Sequence, residues 1–105
     1  MKIEDLTFPV TLEAFVAFQE AGMGRKLENM EMDALKAWVK LFNLAYTDGV
    51  QENNAALAKY IVNVDKLIAE HGDDTNLARI LKSCRWWIDY AWKLGFKEAG
   101  KAAAV

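Results

Sequence analysis

Apolar residues recur at helical spacing along almost all of this chain, and nowhere do they alternate over a sustained run. In the stretch from Val50 to Glu70, residues Val50, Leu57, Tyr60, Ile61, Val64, Leu67 and Ile68 fall on one side at about 100° per position. Glu52, Lys59, Lys66 and Glu70 fall opposite them. Upstream, Leu35, Trp38, Val39, Phe42, Ala45 and Tyr46 cluster in the same way, with Asp33, Lys36, Lys40 and Asn43 across. Leu44 interrupts that polar side, as a single exposed leucine commonly does. A chain patterned like this can bury its apolar stripes only by packing helix on helix. The expected fold class is all-α.

Gly24, Gly49, Gly72 and Gly95 cut the chain into near-equal blocks, and Gly22 and Gly100 accompany them. Glycine is favoured just past a helix end, where the left-handed conformation is needed. The blocks share no residue-level similarity, which makes the glycines punctuation and not a repeat. Start signals agree with them. Asp48-Gly49-Val50-Gln51 has the form of a capping box. Asp73-Asp74-Thr75-Asn76 offers several N-caps, Thr11 suits a first helix and Asn29 a second. The expected architecture is a compact bundle of three helices of about 20 residues, each about 30 Å long, plus a shorter N-terminal helix around residues 11–22. The 105 residues form one helical domain, with 1–10 and 96–105 as less ordered ends. Short turns make sequence neighbours antiparallel neighbours.

The segment LAYTDGVQENNAAL, residues 44–57, resembles the helix–Asp-Gly–helix turn of tellurite-resistance TerB-like domains. That resemblance implies a turn at Asp48-Gly49. It covers a few residues, and the acids expected after the glycine are mostly missing, so it carries no family assignment.

Several chemistries lack their raw materials. One histidine and one cysteine do not make a metal centre. His71 stands at an expected helix end, where an imidazole beside free carbonyls is a structural choice. Glu70-His71 lacks the spacing of bundle di-iron sites, and no apolar face carries a central carboxylate. Cys84 falls on an apolar face, where a thiol behaves as a small hydrophobe, and Ser83 has no histidine on its own helix. Gly22-Met23-Gly24-Arg25-Lys26 follows a helix and lacks the phosphate-loop spacing. No catalytic residue, metal or cofactor is expected.

The longest uncharged runs, such as Leu41 to Thr47, are far short of the ~20 residues of a membrane span. The N-terminal Glu4-Asp5 does not suit a signal peptide, and a lone cysteine has no internal disulfide partner. The expected location is cytoplasmic.

One stretch breaks the binary pattern. CRWWIDYAW, residues 84–92, holds three tryptophans and a tyrosine. Leu77, Ile80, Leu81, Cys84, Trp87, Ile88, Ala91 and Leu94 make one continuous apolar face, with Trp92 at its edge. Trp86 projects nearly opposite that face, among Arg79, Lys82, Asp89, Tyr90 and Lys93. Residues 79–101 carry a net +4 within a chain of net −2, which leaves −6 for the rest. The basic Trp86-bearing face, with Arg79, Lys82, Tyr90 and Lys93, is the expected binding surface, since Trp and Arg are enriched at interface hot spots. Three alternatives stand for Trp86: cover by Phe8, Phe15 and Phe18, self-association, or docking on another macromolecule.

The expected function is that of a non-catalytic interaction protein, an adaptor or stoichiometric inhibitor acting on a partner protein with an acidic surface. Inhibitors encoded by phage or other mobile elements and aimed at host defence complexes are of this size. The alternative is a nucleic-acid-binding module using the basic last helix, with Trp86 and Tyr90 as stacking platforms. The wide apolar face of the second helix also leads to the expectation of a homodimer.

Overall fold

The computed structural model describes residues 6–72 and 75–103 and is an all-α helical bundle. Its elements are α1 (Leu12–Met23), α2 (Asn29–Val50), α3 (Leu57–His71), α4 (Asn76–Cys84) and α5 (Trp87–Ala103). No strand occurs among the described residues.

Local signals account for most helix ends. Thr11 caps α1 by accepting from the Ala14 N–H at 3.1 Å, and Thr75 caps α4 by accepting from Ala78 at 3.1 Å. Asp73 and Asp74, the other caps expected there, lie outside the described residues. Gly24 ends α1 in the left-handed region at φ 71°, its N–H returning to the Glu20 carbonyl. Gly72 follows α3 at φ 78°.

Two start signals are corrected. Asn29 is the first residue of α2, and its N-cap is Glu28. The Glu28 N–H donates to the Glu31 carboxylate at 3.0 Å, and the same carboxylate takes both Arg25 Nη1 and Nη2, at 2.9 and 2.8 Å. The reciprocal capping box of Glu28 and Glu31, braced by Arg25, marks the start of the helix, and the asparagine does not cap it. Asp48 caps nothing, because α2 runs straight through Asp48-Gly49 to Val50. The turn implied there by the TerB-like resemblance therefore starts at Gln51, and α3 begins only at Leu57. Val50, placed on the third helix by its spacing, belongs to the end of α2.

The chain leaves α2 through a Schellman motif. Asn53 N–H bonds the Asp48 carbonyl at 2.8 Å and Glu52 N–H bonds Gly49 at 3.0 Å. Glu52 takes the left-handed position at φ 57°, where glycine is usual. The loop is then pinned from afar, since Trp92 Nε1 donates to the Asn53 carbonyl at 2.8 Å. Tyr60 Oη donates to Asp48 at 2.6 Å, which pushes the phenol up to about 12.

The core forms where α2 meets α5. Trp38 stacks between Phe15 and Phe42, with ring centroids 4.6 and 4.7 Å away, and Trp87 meets it edge-on at 6.2 Å. Leu35, Val64, Leu81, Cys84, Ile88 and Ala91 close around this cluster. Trp38 pairs with Trp87 at one end, while Tyr46 and Gly49 meet Gly95 and Trp92 further along both helices. The two helices thus run in the same direction, with α3 returning between them in sequence.

Gly49 and Gly95 do not punctuate. Each lies inside its helix and is buried. A Cβ on Gly49 would collide with the Trp92 carbonyl, and one on Gly95 with the Tyr46 carbonyl. These two glycines are spacers that let two helix backbones touch.

Residues 6–10, expected at a loose end, lie on α2. Leu6 and Val10 are buried, and Phe8 stacks on Tyr46 at 4.2 Å. Asn43, assigned to the polar side of the helix, grips Val10 through its N–H and its carbonyl, both at 2.8 Å. The buried apolar face of α2 thus packs against α1, α5 and this segment, while Leu44 stays exposed. At the other end α5 continues to Ala103. No helix among the described residues is long and apolar enough to cross a membrane.

Candidate functional site

The last apolar block is not one helix. It breaks at Arg85-Trp86, between α4 and α5. Ser83 Oγ donates to the Ile80 carbonyl at 2.8 Å, a side-chain competitor for the helix ladder. The Arg85 N–H reaches only Lys82 O, at 3.4 Å, over a three-residue span of the kind that tightens a helix end.

The two adjacent tryptophans at this junction face different ways, as the helical period alone requires. Trp87 turns inward and is partly buried, meeting Phe15 at 6.1 Å and Phe18 at 5.4 Å, both edge-on. Trp86 turns outward with 64% of its surface exposed. Phe15 and Phe18 are engaged by Trp87 and Phe8 by Tyr46 and Phe42, so these phenylalanines do not cover Trp86.

Arg85 organises the surroundings of Trp86. Its guanidinium carbon sits 4.5 Å from the centre of the Trp86 ring. Its Nε and Nη2 donate to the two carboxylate oxygens of Asp65 in α3, at 2.7 and 3.1 Å. Arg85 and Trp86 are the two residues between α4 and α5, and the stack forms there. Neither Arg85 nor Asp65 belongs to the set chosen from the sequence. The Arg-Trp adjacency was a visible signal, whereas Asp65, twenty residues away on another helix, left none.

The five expected residues recur at three- and four-residue spacing across the junction. Arg79 and Lys82 are exposed on α4, and Arg79 Nη1 reaches Asn76 Oδ1 at 3.4 Å. Tyr90 is partly buried on α5. Lys93 is exposed and pairs with Asp89 at 2.8 Å. The positive charge of this region is therefore partly neutralised inside the chain, by Asp65 at Arg85 and by Asp89 at Lys93. Beside Arg85, a cleft of about 500 Å³ opens between α3 and α4, lined by Asp65, Ile68, Ala69 and Lys82 among others.

The titratable and nucleophilic groups elsewhere sit in structural settings. Burial pushes the Cys84 thiol up to about 11, partly opposed by Ser83 and by Gln19, whose Nε2 donates to Sγ at 3.1 Å. A thiol so placed is protonated at neutral pH and is a poor nucleophile. His71 is the last residue of α3. Among the described residues, no three His, Cys, Asp or Glu side chains gather where a metal ion could be held.

No family model matches the chain, and neither a curated protein nor a solved structure matches it.

Proposed function

We propose that this chain is a non-catalytic interaction protein, an adaptor or stoichiometric inhibitor that occludes or bridges a partner protein through the Trp86 face. The observation behind this reading is the locked geometry of an exposed aromatic. Trp86 is 64% exposed, Arg85 lies on its ring, and Asp65 holds Arg85 in place. Ordering a free side chain at an interface costs about 0.5–1.5 kcal/mol, so an anchor already held in position retains more of its contact energy. Trp and Arg are also the residues over-represented among binding hot spots. Arg79 and Lys82 on the same stripe suit a partner with acidic surface. An origin in a phage or other mobile element, with a host defence complex as target, is supported by chain size alone.

The test is affinity purification from the native organism with wild type and Trp86→Ala side by side, joined to a mobility shift with random single- and double-stranded nucleic acid at low salt. The expected result is a partner protein retained by wild type, lost from the variant, and no shift. Identical partners for both proteins would remove the Trp86 face from the function. Saturable, salt-sensitive binding of nucleic acid would replace the protein partner with a stacking role for Trp86 and Tyr90.

A further inference from the structure

A second surface lies on the far side of α3 from Arg85. Ile68 and Ala69 line the cleft toward α4, while Asn63, Lys66, Leu67 and Glu70 line a separate groove of about 350 Å³ between α3 and α2. The α2 wall contributes Ala37, Lys40, Leu41 and Leu44. Leu44, an anomaly on the polar side of its helix, is 40% exposed, and Leu41 and Leu67 are half-buried beside it. One exposed leucine is ordinary. Three leucines forming one floor, with a lysine on each wall, are a built concavity.

Its chemistry selects an occupant. Walls made of helices have their backbone groups paired internally, so they offer an extended peptide no ladder of hydrogen bonds. A helix brings its own backbone already satisfied. The α2 stretch from Ala37 to Leu44 is two turns, about 10 Å, which matches two turns of a docked helix. Lys40 and Lys66 flank the leucine floor from opposite sides, and Glu70 is the one acid lining the groove.

We infer that the α2–α3 groove docks an acidic amphipathic helix of a partner protein, its apolar side chains on Leu41, Leu44 and Leu67 and its carboxylates toward Lys40 and Lys66. This site is separate from the Trp86 face and does not depend on it. Together the two would let one small chain engage two surfaces.

The probe is a synthetic helix-forming peptide with leucines at i and i+4 flanked by glutamates, set against the same peptide with lysines in place of glutamates. Binding is followed by peptide fluorescence anisotropy and by amide chemical shifts of the full chain. The acidic peptide should bind and move the amides of Leu41, Leu44 and Leu67. The lysine peptide, and the Leu44→Glu variant with the acidic peptide, should each bind about tenfold or more weakly. Lys40→Glu combined with Lys66→Glu should reverse the preference between peptides. Trp86→Ala should change none of this, which keeps failure here distinct from failure of the Trp86 reading. Circular dichroism on each variant establishes that the fold is retained. Equal binding of both peptides, no binding of either, or shifts confined elsewhere would overturn the inference. So would a concentration-dependent dimer abolished by Leu44→Glu, which assigns the groove to a second copy. Comparable binding to anionic lipid vesicles would assign it to a membrane surface instead.

Discussion

Gly49 of α2 lies directly against the main-chain carbonyl of Trp92 in α5, with no room for a Cβ between them. Gly95 makes the reciprocal approach to Tyr46. The obstacle is backbone in both cases, which cannot swing aside as a flexible side chain would. Alanine at either position should therefore cost about 3 kcal/mol or more, the upper end of overpacking penalties. Gly22 and Gly100 have nothing within 4 Å of a Cβ, so alanine there should be neutral or stabilise by up to about 1 kcal/mol. Denaturant midpoints of the four variants check the contrast, and a Gly95→Ala protein as stable as wild type would show that α2 and α5 are not in backbone contact.

Trp86 and Trp87 control for each other, being identical side chains one residue apart. Trp86→Ala removes an exposed ring and its Arg85 stack, with an expected loss of about 0.5–1 kcal/mol. Trp87→Ala removes contacts to Phe15, Phe18 and Trp38, with an expected loss of about 3 kcal/mol. Urea titration of the two variants decides it. Equal losses would mean that Trp86 is buried in solution.

Glu52 occupies a left-handed position with a side chain, at φ 57°. An L-residue there carries a steric cost that glycine escapes. Glu52→Gly should gain about 0.5–1 kcal/mol despite the added freedom of the unfolded chain, whereas Glu52→Ala should gain nothing. Thermal melts of both variants are the measurement, and parallel shifts in the two would contradict the strained turn.

Arg25 holds the Glu31 carboxyl below the usual glutamate value; burial opposes this, and the Glu28 N–H reinforces it. A carboxyl with a lowered folded pKa contributes fully above its unfolded value of ~4.3, and the contribution drains as pH falls through the folded value. Glu31→Gln should thus cost about 1–2 kcal/mol at neutral pH. Its deficit relative to wild type should narrow in titrations run at progressively lower pH below ~4.3. A deficit unchanged down to about pH 3 would show that the pair has no part in acid sensitivity.

Legibility varied by element. The apolar spacing of α1, α2 and α3, the Thr11 cap, a cap within residues 73–76 and the Gly24 and Gly72 ends were readable because each rests on contacts within a few residues; the structure picks Thr75 among those four. Glu31 was not read as the N-terminal organiser of α2, because Arg25 had to loop back before the pair existed. Asn43 was read as solvent-facing, because its partner Val10 lies thirty-three residues upstream. Of the candidate site, the outward direction of Trp86 followed from the helical period alone, while its lock did not.

By itself the sequence determined that this chain is helical, where its apolar stripes lie, and that Trp86 breaks the pattern, since periodicity is a property of the chain taken locally. Tertiary structure alone decided which of four evenly spaced glycines would cap and which would space. A capping glycine answers to its own backbone angles, but a spacing glycine answers to a neighbouring helix that no local pattern names. The same holds for the partners met at Arg85-Trp86-Trp87, where Arg85 pairs with Asp65 on α3 and Trp87 joins the aromatic cluster, contacts that no local pattern names.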